Sequence, residues 1–352
     1  MRLSVGSASG EPVFFVTKIC LFPNGNLMGF SVVFRGDLWY TVHIVKLHKC
    51  EETIMYTDNK GRKWFKGNLH MHTTESDGKL TPAEAAALYA ENGYDFIART
   101  DHWKVGPADE FEGLLCLTGC EYNIGVSPRE GVFHIVGVGM ETDPQIRRSA
   151  PDNPLTGQEI VDTIHRFGGI AIIAHPAWSL NSPEQILSIH RDTPFDMTEI
   201  YNSTSDMPRN CRPYSGLITD MLASSGVYLP LGAADDSHLY AVWDRCRSYI
   251  WVQAEACTRE AILTAIREGK FYATQGPKLD VRLEDGKVVV DCDPVEEIVY
   301  HTDSVWTGHR SDVGENLTHG EYVPTAIDTF VRVEVKDKAG KYGWSQYVLM
   351  QK

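Results

Sequence analysis

Between residues 66 and 275 short apolar runs alternate with stretches of helical period, and most of the apolar runs end in a histidine or a carboxylate. In order these ends read His70-Met71-His72 with Asp77 close behind, Thr100-Asp101-His102, Glu121, His134, His175 before Pro176, and Asp236-Ser237-His238. Six of the chain's 13 histidines fall in these segments. A packing histidine needs no such company, whereas a divalent cation needs imidazole nitrogens and carboxylate oxygens converging from several elements. Residues i and i+2 of a strand share a face, so His70 with His72, and Asp236 with His238, can each reach one ion. A turn at Gly78 can bring Asp77 back toward the same mouth. Taken singly, each segment reads as structural. Together, in this order, they point to a multinuclear metal site and to metal-assisted hydrolysis.

The alternation itself predicts a fold. Thr81 can cap a helix over Pro82–Glu91 that Asn92-Gly93 ends, and a second amphipathic helix runs over Gly157–Phe167. Further helices are expected at 184–190, 214–225 and 258–268. Strands are expected at Asn68–His72, Tyr94–Thr100, Leu114–Leu117, Val132–Val138, Ile170–Ala174, 198–201, 227–233 and 248–253. This pattern argues for a closed or nearly closed α/β barrel, whose C-terminal strand ends would carry the active site. Past Gly276-Pro277 the pattern becomes short alternating strands at Leu279–Leu283, Lys287–Val290, Glu297–His301 and Phe330–Val335, read as a small all-β sandwich. Three domains are therefore expected: an N-terminal extension over 1–54, a metallohydrolase barrel over 55–275 and a β-sandwich over 276–352. In the first, Val13–Ile19 and Leu27–Val45 flank a turn at Pro23–Asn26, which suggests a hairpin. His43 and His48 read as surface or packing residues. Met55 reads as a natural start, which would make the first segment an upstream extension.

Composition narrows the partners. The formal net charge is −14, with no basic stripe, which argues against a surface for long nucleic acid. A small phosphorylated substrate remains compatible, because bound cations reverse the local field. No stretch reaches the ~20 apolar residues that span a bilayer, and no secretory leader is visible, so no membrane partner is expected. The eight cysteines are scattered with no C-x-x-C pair, and read as reduced thiols of a cytoplasmic protein.

The segments NLHMHTTESDG, ARTDH, GCEYN, FHIVG, IAHPA and ADDSH resemble the motifs of the PHP (polymerase and histidinol phosphatase) metal-dependent phosphoesterases. The resemblance implies a distorted (β/α)7 barrel with two or three divalent ions (Zn, Mn or Fe) at the strand C-termini. It implies that His70, His72, Glu121 and Asp236 hold the first ion, that Glu121 bridges to a second completed by His134 and His175, and that Asp77, His102 and His238 form a third site. Glu121, Asp236 and His238 would stand closest to the chemistry. The family's Asp-x-His pattern selects Asp236 and leaves Asp235 as a supporting group. Asp101 is likewise expected to orient a ligand histidine. The stretches YAENGYDFIARTDHW and GKFYATQGP also look like the subgroup related to carbaryl hydrolase, in which a β-sandwich follows the barrel. Arg99 and Trp103 depart from the family pattern and would reshape the substrate mouth.

Arg245 and Arg247 share one strand face after His238 and would clamp a phosphate, unless they are solvated or paired with carboxylates of the barrel. Asn202, Asn123, Lys104 and Trp178 follow site segments closely and would line the mouth, although packing explains Trp178 equally well. The expected activity is a phosphoesterase that cleaves a small phosphomonoester or short nucleotide with a hydroxide shared between two cations. A carboxylic-ester, carbamate or amide hydrolase on the same centre is the alternative. A metal-stabilised scaffold without catalysis is the other.

Overall fold

The computed structural model describes residues 56–148, 154–207, 211–306 and 308–350, together with the backbone of four strands nearer the N-terminus. The turn expected at Pro23–Asn26, Met55, and the side chains of His43 and His48 lie outside the described residues. The chain divides into two compact units, Met1–Thr53 and Ile54–Lys352. In the first, the strands Arg2–Gly6, Val13–Leu21, Leu27–Phe34 and Tyr40–Lys46 pair antiparallel in sequence order. The run expected over Leu27–Val45 is thus two strands.

In the larger unit, each of three helices starts from a reciprocal cap that the sequence spells out. The Thr81 hydroxyl accepts from the Glu84 N–H while the Glu84 carboxylate accepts from the Thr81 N–H, which opens Pro82–Glu91. Thr156 with Glu159 and Ser182 with Gln185 do the same for Gly157–Arg166 and Pro183–His190. Gly157–Arg166 turns Ile160, Val161 and Ile164 inward, as its period requires.

These helices pack on two sheets. One has five strands in the order Gly119–Ile124, Phe133–Val138, Ile170–Ile173, Met197–Asn202 and Leu231–Ala234, antiparallel at its start and parallel at its end. The other has 13 strands, and within it Lys63–Asn68 pairs parallel with Phe96–Ala98, which pairs parallel with Leu114–Leu117. The result is a mixed α/β fold with one large sheet and few helices. The closed or nearly closed α/β barrel expected from alternation is not formed as a continuous ladder among the described residues. The sheets meet instead at isolated bridges, Met71 with Ser237 and His102 with Glu121. The reason is local: the His70–His72 segment has left strand geometry, and its hydrogen bonds run to a loop. Asp236 N–H donates to His70 O (2.8 Å) and His72 N–H to Ser237 O (2.9 Å).

The C-terminal strands pair into the large sheet. Tyr342–Trp344 pairs with Phe271–Thr274 on one side and with Phe330–Lys336 on the other, so these strands extend the large sheet. The runs expected at Lys287–Val290 and Glu297–His301 are one strand, Lys287–Thr302. Its partner Ser311–Tyr322 shifts register around Val295, where Pro294 cannot donate to a ladder. Trp344 is fully buried and stacks on Tyr201 at 5.3 Å, which joins the C-terminal strands to the core of the α/β part. No helix among the described residues is long and apolar enough to cross a membrane.

Candidate metal centre

Strands, with Glu121 inside Gly119–Ile124, and the loops just beyond their ends bring nine side chains to one place, in three groups whose donor atoms lie within 4.8 Å of one another. The first group is His70, His72, Glu121 and Asp236; the second is Glu121, His134 and His175; the third is His72, Asp77, His102 and His238. Glu121 belongs to two groups and so does His72, so the three adjoin one another in a continuous array. Glu121 Oε2 lies 3.1 Å from His72 Nε2, 3.4 Å from His70 Nε2 and 3.2 Å from His102 Nδ1, while Oε1 lies 2.7 Å from His134 Nδ1 and 3.6 Å from His175 Nε2. Asp236 Oδ1 lies 3.2 Å from His70 Nε2 and 3.1 Å from His72 Nε2. Asp77 is half exposed at the open side, 3.6 Å from His238 Nε2. Its place depends on Gly78, where a Cβ would stand 2.3 Å from His72 O.

The nitrogens face the array because other groups hold the rings. His70 Nδ1 donates to Glu199 Oε1 (2.7 Å), and His238 Nδ1 donates to the Asp236 carbonyl (2.7 Å), which leaves Nε2 of each with a lone pair for the site. Glu199 Oε2 also accepts from His175 N–H (2.9 Å) and from Asn202 Nδ2 (2.8 Å). Asp244 accepts from the N–H groups of His238, Leu239, Tyr240 and Ala241 and so fixes the loop carrying His238. His175 (φ 29°) and Asp236 (φ 53°) sit in left-handed backbone, which non-glycine residues keep only where surroundings enforce it.

The donor set fits divalent cations: imidazole nitrogen and carboxylate oxygen in every group. Two buried atoms within it, Asp236 Oδ1 and His102 Nδ1, have no hydrogen-bond partner. Burial by itself would raise the carboxylates and lower the imidazoles. Against that, His70 and its neighbours hold Asp236 and Glu121 well below the usual carboxylate range. Despite burial, Asp236, Glu199 and Glu121 hold His70 well above the ordinary imidazole value, and Asp236 and Glu121 raise His72 to about 9. Burial dominates at His102 and lowers it. Protons thus occupy the places that cations would take, and metal binding would release them.

The centre opens into a pocket of about 430 Å³ lined by Asp77, Lys79, His102, Glu121, His134, His175, Trp178, Thr204, Ser205, Met207, Asp236, His238 and Leu239. Several expected mouth residues lie elsewhere. Arg245 and Arg247 are not among its lining. They precede the strand Tyr249–Gln253 in a turn, where Arg245 is exposed and Arg247 donates to Trp243 O (3.1 Å) and pairs with Asp206 (3.4 Å). Asn202 is fully buried, is not among the lining, and donates to Glu199 (2.8 Å) and to Asp236 Oδ2 (3.2 Å), so its amide holds these two carboxylates in place. Lys104 pairs with Glu75, and Asn123 accepts from Trp103 Nε1. Arg99 is buried and donates to Pro107 O and Asp109. Asp101 grips the turn after His72 through Thr73 N–H, Thr73 Oγ1 and Ser76 Oγ (each 2.7 Å), and Ser76 Oγ in turn lies 3.3 Å from His72 Nδ1, so Asp101 reaches a candidate ligand histidine through Ser76. Asp235 accepts from Tyr89 OH and the N–H groups of Cys246, Arg247 and Ser248, and burial raises it to about 6. Glu199, Asp244 and Lys79 are the functional residues that sequence reasoning missed.

No family model matches the chain, and neither does any curated protein. Solved structures do. One is a two-domain protein from Bacteroides vulgatus containing a predicted PHP-like metal-dependent phosphoesterase, 14% identical over 84% of this chain and 98% of that one, with a TM-score of 0.48. A second is an amidohydrolase from Chromobacterium violaceum, 18% identical over 51% of this chain and 89% of that one, with a TM-score of 0.38. A third is a lesion-specific endonuclease from Pyrococcus furiosus, 18% identical over 58% and 56%, with a TM-score of 0.41.

Proposed function

We propose that this chain is a metal-dependent hydrolase, a phosphoesterase that cleaves a small phosphomonoester or short nucleotide. One observation carries the reading: nine histidine and carboxylate side chains converge in three adjoining groups that share Glu121 and His72 and open onto a pocket. A purely structural ion needs one closed shell, not an open array. Two or three divalent ions bound there (Zn, Mn or Fe) would acidify a water and offset the charge that builds on the phosphoryl oxygens. The chain's own residues prepare the site. Glu199 and the Asp236 carbonyl each take one ring proton, so that His70 and His238 present bare Nε2 atoms. Asn202 holds Glu199 and Asp236 in register. His238 Nε2, 3.6 Å from the half-exposed Asp77, would hold the ion of the third group together with it.

The finer fold reading belongs to the same proposal. The two sheets together would correspond to a distorted (β/α)7 barrel of PHP type, joined where Met71 meets Ser237 and His102 meets Glu121. The C-terminal strands would correspond to the β-sandwich of the carbaryl-hydrolase-like subgroup. A cytoplasmic location is proposed on the scattered cysteines, six of which are free thiols in the structure. A carboxylic-ester, carbamate or amide substrate is the second reading. It is favoured by the lining, in which Lys79 is the one lysine or arginine among the described residues.

The test is phosphate release by Mn²⁺-loaded protein from phosphomonoesters, nucleotides and a short oligonucleotide with an abasic site, run beside matched carboxyl esters, with Asp236→Asn as control. Phosphate release that the control loses supports the phosphoesterase. Carboxyl-ester cleavage alone transfers the assignment to the second reading. Metal binding without any hydrolysis leaves a scaffold.

A further inference from the structure

Resting on the phosphoesterase reading, we propose that the pocket selects a phosphomonoester with a planar aromatic leaving group, Lys79 receiving the phosphate charge and Trp178 the ring. The two residues adjoin different groups of the array. Trp178 adjoins the second group: its ring meets His175 at 5.0 Å and His134 at 5.5 Å, steeply tilted to both. Edge contacts on two ligand rings fix the indole while leaving it half-buried on the pocket wall. An aromatic face held this way offers an offset or edge partner to another ring.

Lys79 adjoins the third group. Its N–H donates to His238 O (2.8 Å), so its backbone is anchored to a candidate ligand residue at the pocket. Asp77 and His238 line the pocket with it. An ammonium on a flexible stem suits a phosphate oxygen that the ions leave uncovered. The described lining also includes Thr204, Ser205 and Met207, and among the described residues Lys79 is its one lysine or arginine. One cationic and one aromatic side chain fit an aryl monoester better than a polyphosphate, which would ask for more than one positive charge.

Phenylphosphonate and methylphosphonate resist hydrolysis and report binding directly. Isothermal titration of each into the Mn²⁺-loaded full chain should give phenylphosphonate an advantage of about tenfold. Trp178→Ala should erase that advantage and Trp178→Phe should keep most of it. Lys79→Ala should weaken both ligands by on the order of tenfold with the ratio kept, and Lys79→Arg should restore much of the loss. Equal affinities in the unaltered protein, or a ratio indifferent to Trp178→Ala, overturns the aromatic assignment. Affinities indifferent to Lys79→Ala overturn the charge assignment. If phosphomonoesters are turned over and the phosphonate ratio is one, the substrate class alone is wrong. If neither phosphonate binds and no phosphomonoester is cleaved, the phosphoesterase reading falls as well.

Discussion

The chain buries charge in two places within its larger unit, and handles it differently in each. Around Arg332, which is fully buried, the guanidinium donates to both oxygens of Asp220 (2.9 and 2.7 Å), to Glu334 (3.4 Å) and to Tyr214 OH (3.3 Å). Glu334 is finished by Trp344 Nε1 and Tyr214 OH. A positive charge has met its counter-charges from the protein itself, and the cluster ties the helix Gly216–Ser224 to the strand Phe330–Lys336. Around Glu121 the reverse holds. Glu121 faces five imidazoles at 2.7 to 3.6 Å, and two buried polar atoms of the cluster, Asp236 Oδ1 and His102 Nδ1, have no hydrogen-bond partner. A buried polar cluster that completes itself is structural; one left open has a ligand still to come.

Four substitutions can break or sharpen that contrast. Asp236→Asn should lower turnover by on the order of a thousandfold or more, since it removes a charge that only a bound cation would need. Near-normal turnover in that variant would erase the distinction between the clusters. Arg332→Met should cost about 3–5 kcal/mol in urea unfolding, because Asp220 and Glu334 lose their counter-charge. The folded fraction should still bind metal normally, and weakened binding would mean the two clusters act as one. Glu199→Gln should weaken metal binding roughly 10–100-fold in competition with a chelator, with the fold intact. An unchanged affinity would remove Glu199 from the site. The smallest effect concerns His301, which burial and Arg332 push down to about 4. Its folded value lies below its unfolded one, so the stability it contributes is present above pH 6.5 and fades as the pH falls toward 4. His301→Gln should flatten that slope by roughly 1 kcal/mol after solvent screening, read from melting temperatures across the window.

The segments that end in His70, His72, His102, Glu121, His134, His175, Asp236 and His238 were legible in the sequence because each carries its chemistry within a few residues of an apolar run. The capped helices were legible for the same reason: Thr81 and Glu84 meet within one turn. What escaped is what the chain builds across distance. Glu199 reaches His70 from a strand far along the sequence, and nothing within Met197–Asn202 marks a carboxylate aimed at an imidazole. Spacing after His238 suggested substrate roles for Arg245 and Arg247, but Asp235 accepts from the N–H groups of Cys246, Arg247 and Ser248 and fixes that turn. The C-terminal strands were recognisable singly, yet their attachment to Phe271–Thr274 depends on pairing that no local pattern encodes.

The seam between the two sheets has a consequence beyond catalysis. The hydrogen bonds from Asp236 to His70 and from His72 to Ser237 are held by the same residues that would hold ions. Cations bound there would act as stitches, closing a join that the ladders leave open. Loading the protein with metal should then slow amide exchange along Lys63–Asn68 and Leu231–Ala234, well behind the ligands themselves. Stripping it should loosen those strands before the rest of either sheet.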